Sequence, residues 1–577
     1  MGTISDKLMR IINTKEDIRQ ALISKGYDVP TSIPFKEYAK MILDLPCKVD
    51  SFPDIEGIVA RYSASGLTNE QMAANPVWVD KTGNGHDLQL KNFAWKGMSG
   101  VGGYVADIDE WGTNSTAAYF ERNSIKITAT FKENVSLGLL YHNIKLRQSC
   151  VLKVTGIPEG CDAFLDDRLG NRFYMSEDGV YEIIPSNFLA EALYFSIEKY
   201  PERWYGSKLT IEQLPLYPGA LVFDGVDDYG TCNNFPILTK EKGYTVVVLR
   251  QWDQDFLNTT LTGGLLSTRN YSTGEGVAFE KIESSNKGYW NLGAGGIIDF
   301  AKSPFTWQTS KQYNNVGILK GGKNHGKPLC VGSGLSGGQQ CGRFAIWELV
   351  FLDHDATEKE LTKIKDYFVK TYPWLFPDQA WTVIGKTNED EDRATIANIT
   401  GNGNDLVLSN FGFAEGSGYN EEGEYAGYLV TDGVDDKIIS SIFKMGNDWT
   451  VIGDWELINT GKNDNAGIVK FDSIVIYNYN YNYNSVLINI KNGRNILIPD
   501  QNTVNAICSD GRIYSKDWKE SIYNEETEST SKNFLTIGYS GNAYTKIAFK
   551  NLAIYPTVLS REDCIKAYNY LQTLKAK

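Results

Sequence analysis

Leu221-Val-Phe-Asp-Gly-Val-Asp-Asp-Tyr-Gly230 occurs a second time as Leu429-Val-Thr-Asp-Gly-Val-Asp-Asp-Lys-Ile438. An apolar pair, Asp-Gly, Asp-Asp and further β-formers predict strand, tight turn, strand, a hairpin. One copy would be commonplace. Two copies call for a search for a longer repeat, and one is present. Thr82-Gly-Asn-Gly-His-Asp-Leu-Gln-Leu-Lys-Asn-Phe93 matches Thr400-Gly-Asn-Gly-Asn-Asp-Leu-Val-Leu-Ser-Asn-Phe411, and Phe52-Pro53-Asp54 matches Phe376-Pro377-Asp378. Leu349-Val-Phe-Leu followed by Thr357-Glu-Lys-Glu360 matches Leu552-Ala-Ile-Tyr followed by Ser560-Arg-Glu-Asp563. Thr357 and Ser560 are expected helix N-caps, each with an acid three residues on.

Spacing locates an insertion. Thr82 and Asp224 are 142 residues apart, Thr400 and Asp432 only 32, so the first copy carries 110 more. After the Asp-Gly turn the copies run in step again. The extra segment lies between Tyr104 and Pro218 and has strand-like runs at 125–130, 151–154, 179–184, 193–197 and 209–212, which predicts an inserted β-domain. A surface loop tolerates such an insertion, because closure entropy grows slowly with loop length.

The Gly-Asn-Gly-x-Asp-Leu opening, the Phe-Asp-Gly-Val-Asp-Asp-Tyr turn and the closing Ile547-Ala-Phe-Lys-Asn-Leu-Ala-Ile-Tyr555 run resemble laminin-G/concanavalin A-like jelly rolls. That resemblance implies a mainly β chain with two jelly-roll sandwiches. The expected division is a small N-terminal α-helical anchor at 1–50, jelly roll 1 at 51–105 and 218–375, the inserted β-sandwich-like domain at 106–217, and jelly roll 2 at 376–577. Such sandwiches serve as lectins, adhesion modules and occasional glycosidases, so the fold alone selects no activity.

Residues 1–46 read differently. Ile4, Leu8, Ile11 and Ile12 form one helical stripe, Ile18, Ala21 and Leu22 a second, and Phe35, Tyr38, Ala39 and Ile42 a third. Three short helices bury too little surface to stand alone. Their apolar stripes call for a partner, either another subunit or the first sandwich, on which they would be a helical cap. The run from Lys7-Leu-Met-Arg-Ile-Ile-Asn-Thr-Lys-Glu-Asp to Pro34-Phe-Lys-Glu-Tyr-Ala-Lys-Met-Ile42 resembles the N-terminal segment of virion appendage proteins from tailed phages of gut Bacteroidetes, the crAss-like phages included. That resemblance implies a virion structural protein, a fibre or surface decoration. Leu8, Ile12, Ile18, Leu22, Tyr38 and Ile42 would be the assembly anchor. Other virion proteins of capsid or tail, further copies of the chain and host surface glycan would be partners. The place would be the virion surface, after synthesis in the host cytoplasm.

Composition narrows the partners. The 577 residues carry 57 basic and 71 acidic side chains, net −14, with no basic block, which disfavours nucleic acid. No run approaches the ~20 apolar residues of a membrane helix, and Met1-Gly-Thr-Ile-Ser-Asp6 does not read as a signal peptide. Eight cysteines are spread thinly. Cys150/Cys161 and Cys330/Cys341 share an 11-residue spacing that would let them face each other across hairpins, but without an export signal buried free thiols are expected.

Catalytic signals are few, and the chain is not expected to be an enzyme. Gly332-Ser-Gly-Leu-Ser-Gly337 fits G-x-G-x-x-G, and Gly334 to Gly338 fits G-x-S-x-G, but both lie between strand-like runs where the required helix is missing. Gly317 to Lys323 imitates a phosphate loop, with Asn324 where Ser or Thr should hold Mg²⁺. Four histidines and no paired-cysteine motif give no zinc site. A glycosidase would need two carboxylates facing one cleft, roughly 5–10 Å apart. The acidic runs Asp107 to Glu110 and Glu389 to Asp392 read as solvated loops. Asp224, Asp227 and Asp228, with Asp432, Asp435 and Asp436, offer oxygens to a Ca²⁺ ion or simply form turns; turns are the expected reading, Ca²⁺ is the one metal the pattern allows, and no other cofactor is expected. The expected binding feature is Ile476-Tyr-Asn-Tyr-Asn-Tyr-Asn-Tyr-Asn484. Alternation would place Tyr477, Tyr479, Tyr481 and Tyr483 on one face of a strand, as a stacking row or as core. A bacterial cell-surface glycan-binding protein and a laminin-G-like glycosidase are the alternative functions.

Overall fold

The computed structural model describes residues 52–576 except for internal stretches, the longest at 184–192, 269–277, 300–315, 459–466 and 523–534; before residue 52 it describes Lys15 alone. The expected anchor residues Leu8, Ile12, Ile18, Leu22, Tyr38 and Ile42 therefore lie outside the described residues. Two compact units are distinguished, Met1–Asp54 with Thr362–Tyr367, and Ile55–Leu361 with Phe368–Lys577. The second unit carries the sheets.

The chain is mainly β, with sheets packed as sandwiches. In the first sandwich, strand Arg343–Leu352 is central to one sheet. It pairs with Thr245–Trp252 along one edge and with Leu221–Asp224 and then Ile58–Ser63 along the other. Nine of its ten residues are buried, as a strand covered on both faces requires. Phe344, Ile346, Leu349 and Phe351 enter the core, and a register shift opposite Leu249 and Arg250 explains the three-residue step in that series. The facing sheet has ten strands and runs Val77–Trp78, Leu88–Lys91, Tyr229–Cys232, Leu329–Val331, Gly263–Ser267 and five more.

The second sandwich repeats this plan. Strand Ile547–Tyr555 pairs with Thr450–Leu457, Gln379–Thr382 and Leu429–Val430, and sends Ile547, Phe549, Leu552 and Ile554 inward around the same kind of bulge. Both central strands lead to capped helices. Thr357 and Glu360 form a reciprocal capping box before Glu358–Thr371, and the Ser560 hydroxyl accepts the Asp563 N–H before Arg561–Gln572.

The Asp-Gly turn corrects the hairpin expectation. Leu221–Asp224 and Tyr229–Cys232 belong to different sheets, as do Leu429–Val430 and Lys437–Ser440. Each turn is a corner that carries the chain across the core. Phe223 and Cys232 meet in one core cluster instead of lying edge to edge in one ladder.

Residues 108–213 form two five-stranded sheets around a core of their own, including Ile127, Leu152, Leu165, Phe195, Trp204 and Ile211. The segment leaves and re-enters the first sandwich side by side: Leu216 and Tyr217 N–H donate to the Gly103 and Gly102 carbonyls, at 2.9 and 2.8 Å. At the matching place in the second sandwich, Asn420 and Tyr428 close a short loop, with Asn420 N–H donating to the Tyr428 carbonyl. The strand before each connection is held by an asparagine side chain. Asn69 receives the Val101 N–H, and Asn388 that of Tyr419, both near 2.8 Å. A Cβ at Gly100 or Gly418 would stand 2.5 Å from that amide oxygen, so the close approach requires glycine.

Candidate functional site

The paired corners are built alike to the atom. Asp224 Oδ1 accepts the Val226 and Asp227 N–H groups, and Asp432 Oδ1 those of Val434 and Asp435. Gly225 and Gly433 have φ of +78° and +74°, the left-handed region this turn demands. Asp228 turns inward, where Oδ1 accepts the Ser99 hydroxyl at 2.9 Å and Oδ2 the Asp224 N–H at 3.0 Å. Asp436 does the same with Ser417 at 3.1 Å and Asp432 at 2.7 Å. Burial, with the Asp224 charge next, pushes the Asp228 carboxyl well above its ordinary range. Burial likewise pushes Asp436 up to about 6.

The three carboxylates of each corner come within 4.8 Å of one another. A hard cation wants six to eight oxygens. Both oxygens of the inward carboxylate already face protein donors, and one oxygen of the first carboxylate is spent on the turn. The donor set therefore fits a self-satisfied corner better than a Ca²⁺ site.

The other sequence candidates are placed as follows. Strand Ile474–Tyr479 contains Tyr477 and Tyr479, whose backbones pair with Leu487 and Ser485; their side chains, and all of Tyr481 and Tyr483, lie outside the described residues. The glycine-rich segment 332–338 contributes strand Ser333–Leu335, paired with Gln339–Cys341, so no helix follows the glycines. Asp107 caps a single 3₁₀ turn, Ile108–Glu110, and the Asp390 carboxylate holds the Thr387 N–H and hydroxyl. The seven described cysteines are all buried. Cys330 pairs with Thr231 and Ser267, and Cys341 with Ser333 and Gly264, so these two do not face each other.

Sequence reading missed the outer face of the inserted sandwich. Of its ten strands, the five strand-like runs miss five, among them Asp162–Asp166 and Arg172–Met175, which build one edge of a sheet. On Asp162–Asp166, Ala163 and Leu165 enter the core, so Asp162, Phe164 and Asp166 lie on the outer side, where Phe164 is covered by Tyr174 and Arg172 and is only 5% exposed. Register aligns Tyr174, Phe164 and Ser196 in one row, and Arg172, Asp166 and Tyr194 in the next. Arg172 is the organiser. Its guanidinium lies 4.7 Å from the Phe164 ring centre, bonds Asp166 at 2.9 Å and contacts Glu198 at 3.8 Å. The Tyr174 ring packs beside Phe164 at 5.4 Å yet stays 48% exposed. The Arg168 guanidinium sits 4.1 Å above the Tyr194 ring. Lys199 is paired with Asp162. Chemically this is a sheet surface of rings, forked donors and carboxylates. It suits a ligand with apolar C–H faces and many hydroxyls. A signal was present in the sequence, since Asp162, Phe164 and Asp166 alternate with apolar residues, but the rows exist only once register is known.

No family model and no curated protein matches the chain. Among solved structures, the Trypanosoma rangeli sialidase in complex with sialic acid is similar at 8% identity, over 78% of this chain and 83% of that one, with a TM-score of 0.26. The botulinum neurotoxin serotype D binding domain is similar at 12% identity, over 60% and 89%, with a TM-score of 0.22. The serotype C1 binding domain gives 11% identity, 60% and 91%, and 0.23. At these values the likeness is one of β-rich architecture and assigns no activity.

Proposed function

We propose that the chain is a non-enzymatic glycan-binding protein of a phage virion surface, attached by its N-terminal helices, with the inserted sandwich presenting the glycan site. The observation that carries the binding reading is the outward face of Tyr174, Phe164, Arg172 and Tyr194. Open tyrosine stacks on the C–H face of a pyranose, while Arg172, Asp166 and Glu198 meet its hydroxyls with charge-assisted hydrogen bonds. Arg172 is already paired with Asp166 before a ligand arrives, which reduces the rotamer freedom that this one side chain loses on binding. Asp162 and Asp166 are each engaged by a cation on this face, which suits recognition rather than general acid catalysis.

A glycan array with the full chain tests the binding reading. Bound glycans should be lost with Tyr174→Ala and Arg172→Ala, while thermal unfolding moves little because both side chains lie outside the domain core. Retained binding in both variants would overturn the placement, and release of reducing sugar from a bound glycan would overturn the non-enzymatic reading. The virion role is supported by the resemblance of the N-terminal segment alone. Ile12→Asp with Leu22→Asp should abolish incorporation into particles without unfolding the sandwiches, since burying a charge in an apolar contact costs several kcal/mol.

A further inference from the structure

Charge on the same face narrows the ligand. Three cations and three carboxylates stand there, and two of the cations are neutralised: Arg172 by Asp166 and Glu198, and Lys199 by Asp162. Arg168 has no carboxylate partner among the described residues, and its side chain is exposed. It is nonetheless held in place. The loop 167–171 joins the two edge strands, and the buried Asp167 carboxylate fastens it by accepting the Leu169 N–H at 2.8 Å, the Asn171 N–H at 3.1 Å and the Asn171 amide at 2.6 Å. Arg168 itself adopts φ +57°, its N–H donates to Asp166, and its guanidinium is parked over Tyr194.

A stacked guanidinium keeps its N–H edge free to form a two-point bond with a carboxylate, which an ammonium cannot do. Tyr174 and Tyr194 stand in rows about 7 Å apart along the strands and about 10 Å apart across them. One sugar ring stacked on Tyr174 would thus leave Arg168 to a neighbouring residue of the same oligosaccharide. We infer that this face selects acidic oligosaccharides, with Arg168 binding the carboxylate of one sugar residue, a uronic or a sialic acid, while Tyr174 stacks on another. The inference rests on the glycan-binding reading of this face and adds the charge of the ligand and the residue that reads it.

The test uses the full chain and titration calorimetry at low ionic strength with three probes: trigalacturonate, its methyl ester and sialyllactose. The ester keeps the sugar skeleton and removes the charge. Trigalacturonate should bind about tenfold more tightly than the ester, the order expected of a charge-assisted pair. Arg168→Asn should bring the acid down to the affinity of the ester and leave the ester unchanged. Asparagine tolerates the left-handed backbone, so this variant keeps the loop. Arg168→Lys keeps the charge but not the fork and should retain only part of the preference. Equal binding of acid and ester, with sialyllactose unbound, or a preference that survives Arg168→Asn would each overturn the carboxylate assignment and leave the glycan-binding reading standing; sialyllactose bound in place of trigalacturonate and lost with Arg168→Asn would support it with sialic acid as the source. Failure of all three probes, with an array that is also blank, overturns both.

Discussion

Replacing Asp436 by asparagine should make the protein more stable at neutral pH and less stable in acid. The side chain is 1% exposed, and burial raises its carboxyl from the ordinary 3.8 to about 6. A group whose folded pKa lies above its unfolded value contributes stability that is complete below 3.8 and is lost as pH rises through 6. At ~1.36 kcal/mol per pH unit, the wild type should lose roughly 2–3 kcal/mol between pH 4 and pH 7 from this group. Asparagine does not titrate, and it fits. Its oxygen can take the Asp432 N–H and its amide can donate to the Ser417 hydroxyl oxygen. The Ser417 proton then lacks its acceptor, a penalty of about 1 kcal/mol. The variant should therefore fall below wild type at pH 4 and rise above it at pH 7. Urea unfolding of the full chain, followed by tryptophan fluorescence in EDTA at both values, measures the difference. A stability difference between variant and wild type that does not change from pH 4 to pH 7 would refute the reasoning.

Three other outcomes follow from the geometry. Arg61 and Glu348 form a buried pair, 5% and 0% exposed, which Tyr372 completes with a 2.8 Å hydrogen bond; Arg61→Met alone should cost about 3–5 kcal/mol, and adding Glu348→Gln should recover part of it in a double-mutant cycle. Deleting 106–216 should leave the first sandwich folded, with a β-type circular dichroism spectrum and cooperative unfolding, because the two connecting segments already lie side by side. The seven described thiols should resist iodoacetamide in the native chain and react fully in urea, as mass spectrometry would record.

What the sequence made legible was local. A cap such as Thr357, or the Asp224 turn, is satisfied by backbone groups two or three residues away, so its chemistry is written in adjacent letters. The insertion was legible because subtraction between two copies needs no structure. Whether a turn closes a hairpin or a corner is not local. Val222 and Gly230 find their partners in Ala345 and Val331, over a hundred residues on, and nothing in Asp-Gly-Val-Asp-Asp names them. The outer face of the inserted sandwich hid for the same reason. Arg168, Arg172, Tyr174 and Tyr194 come from a loop and two strands, and although exposed and covered positions alternate along Arg172–Met175, four residues are too short a run to announce a strand.

The two copies also contain a natural exchange of acid for amide, and it sets a final prediction. Asp80 and Asn398 hold equivalent turns: each oxygen Oδ1 accepts the N–H of the first strand, from Arg61 or Ala380, and the hydroxyl of Thr82 or Thr400. Their second atoms differ in surroundings. Asp80 Oδ2 accepts the His86 N–H and also lies 2.9 Å from the Thr82 hydroxyl, which Oδ1 shares, whereas Asn398 Nδ2 donates to the Gly403 carbonyl and the Gln379 side chain. Asp80→Asn would therefore turn an amide N–H toward the His86 N–H, and Asn398→Asp would turn a carboxylate oxygen toward two acceptors. Each leaves buried polar atoms without partners, which costs on the order of 1–3 kcal/mol or more where a charge is involved. At Asp436 the second partner is a serine hydroxyl, able to donate or accept, so the same exchange is tolerated there. Asp80→Asn should thus destabilise at pH 7, where Asp436→Asn stabilises. If both substitutions shift the urea midpoint in the same direction at pH 7, then partner polarity does not decide between acid and amide in these turns.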